Sequence, residues 1–473
     1  MKRPDTYQRP VFFVLAAGLA TMPLAFGGTP GWFTNLFAVY AGVLALVWAI
    51  AATLRSAPSS AGIRYILAPA ALPGLVVLWC FAQAWVPAPP GIAHNAWSEA
   101  AILLGAMDQT GLRPAISVNP EASTAGALRL AGYGLVFVLC YQIAAVERRA
   151  ARLLALFAAS SAAYALYGIG LELSESRYVL WYERDFEPGN LSSTFPNRNA
   201  FADYAALCLL CALALLYRGR LRHEDLSRGW RRATVAVSLF YLRRNGWVLY
   251  ATAILFTAIL MTHSRGGLIV TIIAIIVFAA CATRGTLNRR ASLVGAMAIT
   301  VGTGTLFGIA GSNTLERFTK AGTATVERME IFRLTIDAIG DRPVLGTGLG
   351  TFSDIFAAYR TETLLPRIDF AHNSYLENAM EMGVPAAIAF YTGLAILFFF
   401  FVRSFRHNRH AHPYPALGIA AMTVAFLHSL FDYAEQFPVV AITFAAILGV
   451  SAARSFNVPD PVTAHDEDNR RRS

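Results

Sequence analysis

The sequence predicts an all-α polytopic membrane protein of about 12 transmembrane helices, with both termini cytoplasmic and a large outer loop between helices 9 and 10. Three observations carry that expectation. Of the 473 residues, 56% are hydrophobic and only 14% charged. The apolar residues fall in blocks of about 20, the length of helix that crosses the hydrocarbon. The basic residues gather in alternate connecting segments.

The blocks lie near 11–28, 33–54, 64–86, 126–146, 152–171, 199–217, 245–263, 267–283, 291–311, 383–402, 415–431 and 437–453. No polar domain follows the first block, and a second begins almost at once, so the first reads as a span and not as a cleaved signal. Together they describe one helical membrane domain, 1–473.

With the N-terminus inside, the inner segments are 1–10, 55–64, 147–152, 218–244, 284–290, 403–414 and 454–473. They hold 26 of the 39 Lys and Arg but only 8 of the 29 Asp and Glu. The excess basicity behind the net charge of +10 therefore faces lipid headgroups, and nucleic acid is not needed to explain it.

Cys80, Cys140, Cys208, Cys211 and Cys281 all fall in predicted spans. They read as small apolar packing residues, and the odd count argues against a disulfide framework.

Three outer segments are long: 87–125, 172–198 and 312–382. In the second, Tyr178, Trp181 and Tyr182 suit either stacking on sugar rings or an interfacial aromatic belt. In the third, Val326, Met329, Phe332 or Arg333, and Ile336 recur at helical spacing, predicting an amphipathic helix on the membrane. Asp341-Arg342-Pro343 should end it, because proline lacks the donor and restricts the residue before it. The run from Gly346 to Gly350 has GxGxG form, but no strand precedes it, so a flexible turn is expected and not a nucleotide site.

Charged residues at the outer ends of spans stand out. Arg265 lies in a tight turn, Thr262-His263-Ser264-Arg265-Gly266-Gly267, where an anchoring role or an anion above the membrane plane would both suit a permanent cation. Arg198 sits at the head of the sixth span, Arg333 in the third outer segment, and Asp203 places a carboxylate one turn into a span. His372, in Phe370-Ala371-His372-Asn373-Ser374-Tyr375-Leu376-Glu377, meets the tenth span and is the side chain best suited to take a proton near neutral pH.

Taken in order, these motifs resemble the O-antigen ligase and polymerase superfamily. The matching residues are Thr194-Phe195-Pro196-Asn197-Arg198-Asn199, Ser264-Arg265-Gly266-Gly267, Pro343 to Gly348 with Phe352, and His372-Asn373-Ser374-Tyr375-Leu376 through Glu381 and Gly383. His428-Ser429-Leu430-Phe431-Asp432 with Phe437-Pro438 completes the set. The resemblance covers about 190–450, with the segment 312–382 carrying catalytic residues.

It implies a metal-independent glycosyltransferase of the bacterial inner membrane, working at the periplasmic face without a cofactor. Its partners would be a glycan donor linked to undecaprenyl pyrophosphate, an acceptor (lipid A–core or a growing glycan) and the bilayer. On this resemblance His372 is the general base, Arg198, Arg265 and Arg333 bind pyrophosphate, and Asn373, Glu381 or Asp432 orient the base or contact the acceptor. Ligases often carry Gln at the position of Glu377, and the chain fits either a ligase or a polymerase of surface polysaccharide. A transporter or lipid-linked sugar flippase is the alternative of another class. It would show internal repeats and mid-membrane ionisable groups, and the two halves of this chain share no similarity.

Overall fold

The computed structural model describes residues 8–54, 64–103, 113–183, 189–218, 230–282, 314–361, 364, 368–407 and 413–456. The helices in chain order are α1 (Gln8–Thr21, continued by the 3-10 turn Met22–Gly28), α2 (Gly31–Leu54), α3 (Arg64–Trp85), α4 (Asn95–Leu103), α5 (Pro120–Ile143) and α6 (Glu147–Leu173). A two-stranded hairpin follows, β1 (Tyr178–Val179) and β2 (Tyr182–Glu183). Next come α7 (Arg198–Arg218), α8 (Trp230–Met261), α9 (Arg265–Ala282), α10 (Thr314–Asp341), α11 (Phe352–Tyr359), α12 (Ser374–Met382), α13 (Val384–His407), α14 (Pro413–His428) and α15 (Pro438–Ser455).

Among the described residues nine helical segments are long and apolar enough to cross a membrane, and the apolar stretches Gly246–Met261 and Pro413–His428 are shorter. These account for every predicted span except 291–311, which lies outside the described residues, as do the basic segments 284–290 and most of 454–473.

α7 and α15 form the centre of the bundle, with 78% and 89% of their apolar windows buried. Small residues allow this. A Cβ on Gly449 would stand 2.4 Å from the Phe137 carbonyl oxygen, so α15 lies directly on α5 only because that position has no side chain. α2, α3 and α13 are only 22% buried and turn leucine, valine and isoleucine outward, as a lipid-facing layer requires.

The two ends of the bundle differ in charge. Glu147, at the start of α6, binds Arg218 Nε at 2.8 Å and Arg454 Nε at 2.9 Å, and it accepts from the Tyr414 hydroxyl at 2.8 Å. The starts of α6 and α14 and the ends of α7 and α15 therefore share one basic end. The site residues lie at the other.

α10 ends at Asp341, as the proline at 343 predicts. Its protein-facing stripe is Ile331, Leu334 and Ala338, whereas Val326, Met329 and Ile336 are exposed and available to lipid. In the β hairpin, Trp181 and Tyr182 pack edge-on against Phe26, with centroids at 5.5 and 5.8 Å.

The glycine turn after α10 is tight where a flexible one was expected. Gly346, Gly348 and Gly350 all have positive φ, and the backbone N–H groups of Thr347 and Gly348 donate to Glu381 O at 3.1 and 2.9 Å. A Cβ on Gly346 would lie 2.3 Å from that same carbonyl. Gln83 of α3 donates to Leu345 O at 2.7 Å and to Glu381 O at 3.0 Å, tying the turn to a membrane helix. The five cysteines are free, and all but the half-buried Cys281 are buried.

Candidate active site

Three helix starts and one loop build the site, and each start is capped by the residue beside its functional side chain. Asn197 accepts from the N–H groups of Asn199 (2.7 Å) and Ala200 (3.2 Å), which fixes Arg198 as the first residue of α7. Ser264 accepts from Gly267 N at 3.1 Å and fixes Arg265 as the first residue of α9. Asn373 accepts from Tyr375 N and Leu376 N at 3.0 and 3.1 Å and starts α12 immediately after His372. Both arginines are exposed at helix N-termini, where unpaired N–H groups and the helix dipole favour an anion.

The loop that joins α14 to α15, residues 428–437, gathers these starts. Asn197 donates to the Tyr433 hydroxyl at 3.0 Å, and Asn199 donates to Asp432 Oδ2. Gly266 lies against Phe431, whose Cε2 would be 2.5 Å from a Cβ there. Asn373 donates to Leu430 O at 3.0 Å, and Ser374 N donates to Ser429 O at 3.0 Å. Asn373 thus spends its side chain on architecture, holding His372 in place while its oxygen caps α12.

His372 is half-buried, has φ +53° and packs edge-on against Tyr433 at 4.7 Å between ring centroids. Tyr433 stacks in turn on Phe370 at 4.3 Å. The His372 Nδ1 atom faces Oδ1 of buried Asp432 at 4.0 Å. Asp432 Oδ2 lies 3.9 Å from His428 Nε2, and His428 Nδ1 lies 2.5 Å from Oδ1 of fully buried Asp203. Two histidines and two carboxylates therefore alternate from the middle of the bundle to the site. The sequence marks Asp203 as an ionisable group inside a span and His428 as part of the C-terminal motif, but the pairing of the two comes only with the structure.

Burial is the main reason that His372 sits below the ordinary histidine pKa; Asp432 opposes the shift and Arg328 adds to it. Arg328, five residues before Arg333 on α10, is the basic residue of that helix that His372 feels. Arg333 itself is exposed and paired with Glu330 at 2.7 Å and Asp337 at 3.5 Å. The helical spacing locates α10, but it does not reveal that two acids flank Arg333.

Glu381 does not orient His372. Its Oε1 accepts from Phe352 N at 2.9 Å, at the head of α11, and Glu377 Oε2 accepts from Ala371 N at 2.8 Å. Burial pushes Glu377 well above the ordinary carboxylate range and Glu381 up to about 7. Glu435, beside His428, is raised by burial to about 8 and accepts from Ser429 Oγ at 3.1 Å. Among the described residues no cluster of His, Cys, Asp and Glu has the geometry to hold a metal ion.

Comparison with sequence families matches residues 250–391 to O-antigen ligase. The matched segment contains Arg265, Arg333, His372 and Glu381; Arg198, His428 and Asp432 lie outside it and reach it through the contacts above. No curated protein matches the chain.

Proposed function

We propose, for a membrane protein that carries an O-antigen ligase segment over residues 250–391, that the chain transfers a glycan from undecaprenyl pyrophosphate to an acceptor hydroxyl at the periplasmic face of the inner membrane. The observation that supports this best is the meeting of three features on one loop. Two helix N-termini, each headed by an arginine, and one low-pKa histidine all contact residues 428–433.

The chemistry follows from the side chains. His372, neutral near pH 7, takes the proton of the acceptor hydroxyl. The oxygen attacks the anomeric carbon of the donor, and the bond from that carbon to the pyrophosphate oxygen breaks. The leaving pyrophosphate gains negative charge, which Arg198, Arg265 and the N–H groups of α7 and α9 are placed to stabilise. Arginine suits the task because its planar fork grips two phosphate oxygens at once. Asp432, held beside His428, stabilises the imidazolium that forms. Displacement in line would invert the anomeric centre. Arg333, tied to two acids, contributes to the field at a distance and does not hold the leaving group.

We favour a ligase over a polymerase because the motif that holds His372 has the ligase-like form. The surface polysaccharide ladder of a strain lacking the gene tests the choice. Polymer absent from the lipid core but still present on the carrier lipid is the ligase outcome. A single repeat unit on the core is the polymerase outcome, and an unchanged ladder would oppose both.

A further inference from the structure

A cavity of about 1430 Å³ opens between α3, α4 and α5 and reaches the His372 loop from the side of α5. Trp85, Trp97, Arg113, Arg129, Phe370 and Glu377 are among its walls. Arg129 is the unusual member. It is the tenth residue of α5, so about 14 Å of helix separates it from Pro120 at 1.5 Å per residue, which puts a guanidinium well inside a membrane span.

Among the described residues no carboxylate lies within ion-pair distance of Arg129. The acids closest to it electrostatically are Glu377 and Glu381, and each already accepts from a backbone N–H, that of Ala371 and that of Phe352. Burial raises both and Arg129 opposes that shift, so the two acids feel Arg129 without pairing with it. A cation at that depth, facing a cavity, calls for an anion from outside the protein. Arg113 lies exposed on the same cavity wall.

The aromatic walls indicate what carries the anion. Trp85 donates its ring N–H to Thr124 Oγ1 at 3.0 Å, and Trp97 donates to Ser117 O at 3.0 Å. Both indoles are therefore held in place with their polar atoms occupied, leaving apolar ring surface for a sugar. Phe370 lines the cavity and stacks on Tyr433, and Tyr433 packs against His372. A sugar in the cavity would lie one aromatic pair away from the proposed base.

We propose that this cavity is the acceptor pocket and that it selects an acceptor glycan carrying an oxyanion, a phosphate ester or a sugar carboxylate, which Arg129 and Arg113 hold. The role as acceptor rests on the transferase reading; the binding site itself does not. A binding experiment without turnover keeps the two separable.

The purified full chain in detergent is probed by saturation-transfer NMR with glucose 6-phosphate, galacturonate and glucose. The anionic probes should bind the wild type, while glucose binds about tenfold more weakly or not at all. Arg129→Gln should weaken the anionic probes by about tenfold, and Arg152→Gln, an exposed arginine of α6 at the basic end of the bundle, should leave them unchanged. A response to glucose 6-phosphate alone identifies a phosphate ester, a response to galacturonate alone identifies an acidic sugar, and either supports the pocket. Wild-type binding in Arg129→Gln, loss in Arg152→Gln, equal binding of glucose, or no binding of any probe overturns it. If Arg129→Gln does not give folded protein, Arg113→Gln decides: weakened anionic binding supports the proposal, and unchanged binding overturns it. An unchanged polysaccharide ladder in a strain lacking the gene would remove the transferase reading while leaving this result standing.

Discussion

The Nδ1 nitrogen of His372 faces the Oδ1 oxygen of Asp432 across 4.0 Å, a separation too long for a hydrogen bond and short enough for strong electrostatic coupling. Catalytic pairs are often this open without substrate and tighten when it binds. The carboxylate is itself held by Asn199 and lies 3.9 Å from His428, so His372 approaches a fixed partner.

The pH dependence follows from the sign of each neighbour. Transfer needs neutral His372, so the rate should fall as pH drops through a pKa that lies below 6.5, the ordinary histidine value. Asp432 raises that pKa and Arg328 lowers it. Asp432→Asn should therefore move the acidic limb to lower pH, and Arg328→Gln should move it to higher pH. A rate–pH profile of each variant checks both directions. Shifts of the same sign would show that neither residue acts through the field at His372.

The arginines at the helix starts should be unequal to any point charge. Arg265→Ala and Arg198→Ala should each lower transfer by about 10²-fold or more, the scale seen when one charge-stabilising donor is lost. Arg265→Lys should remain impaired, because an ammonium does not reproduce the bidentate fork. Arg333→Ala should cost far less, since its guanidinium is already paired with Glu330 and Asp337. EDTA should leave the rate unchanged in the same assay; inhibition reversed by Mg²⁺ would mean that the arginines are not the main stabilisers.

Much of the fold was legible because bilayer thickness dictates helix length. The predicted spans match described helices within a few residues, apart from 291–311. Within the site, the helix-start motifs were legible through Arg198, Arg265 and His372 at the outer ends of apolar blocks and through their resemblance to the family's motifs; the caps Asn197, Ser264 and Asn373 came only with the structure. Partners that depend on tertiary packing were not. Nothing local shows that Glu381 turns to Phe352 N instead of His372, or that Arg328 and not Arg333 is the basic residue His372 feels. Arg129 was hidden for the same reason: its meaning comes from the cavity, which segments from Gly28 to Pro438 enclose.

Backbone approach in the glycine turn sets a stability prediction. Gly346→Ala places a Cβ at 2.3 Å from Glu381 O with φ at +68°, and should destabilise by about 2 kcal/mol or more. Gly340→Ala, where nothing lies within 4 Å, should be neutral or should stabilise by roughly 0.5–1 kcal/mol. Thermal unfolding of the two variants in detergent checks the contrast. Equal behaviour would show that the turn has room to relax.

Topology follows from the charge asymmetry and the basic end at Glu147, Arg218 and Arg454. A reporter fused after Arg406 should read cytoplasmic, and one inserted near Thr361 should read periplasmic. Reversal at either site would turn the proposed active face inward, away from the periplasm.

The central claim is that His372 takes the acceptor's proton while the arginines hold the donor. The most direct measurement is transfer and donor binding by His372→Gln, side by side with the wild type. The amide can still hydrogen-bond but takes no proton, so transfer should fall by roughly 10²–10⁴-fold while affinity for the undecaprenyl-pyrophosphate-linked glycan is retained. Transfer near the wild-type rate would contradict the account, assign His372 an orienting role and move the search for the base to Asp432 and Glu377.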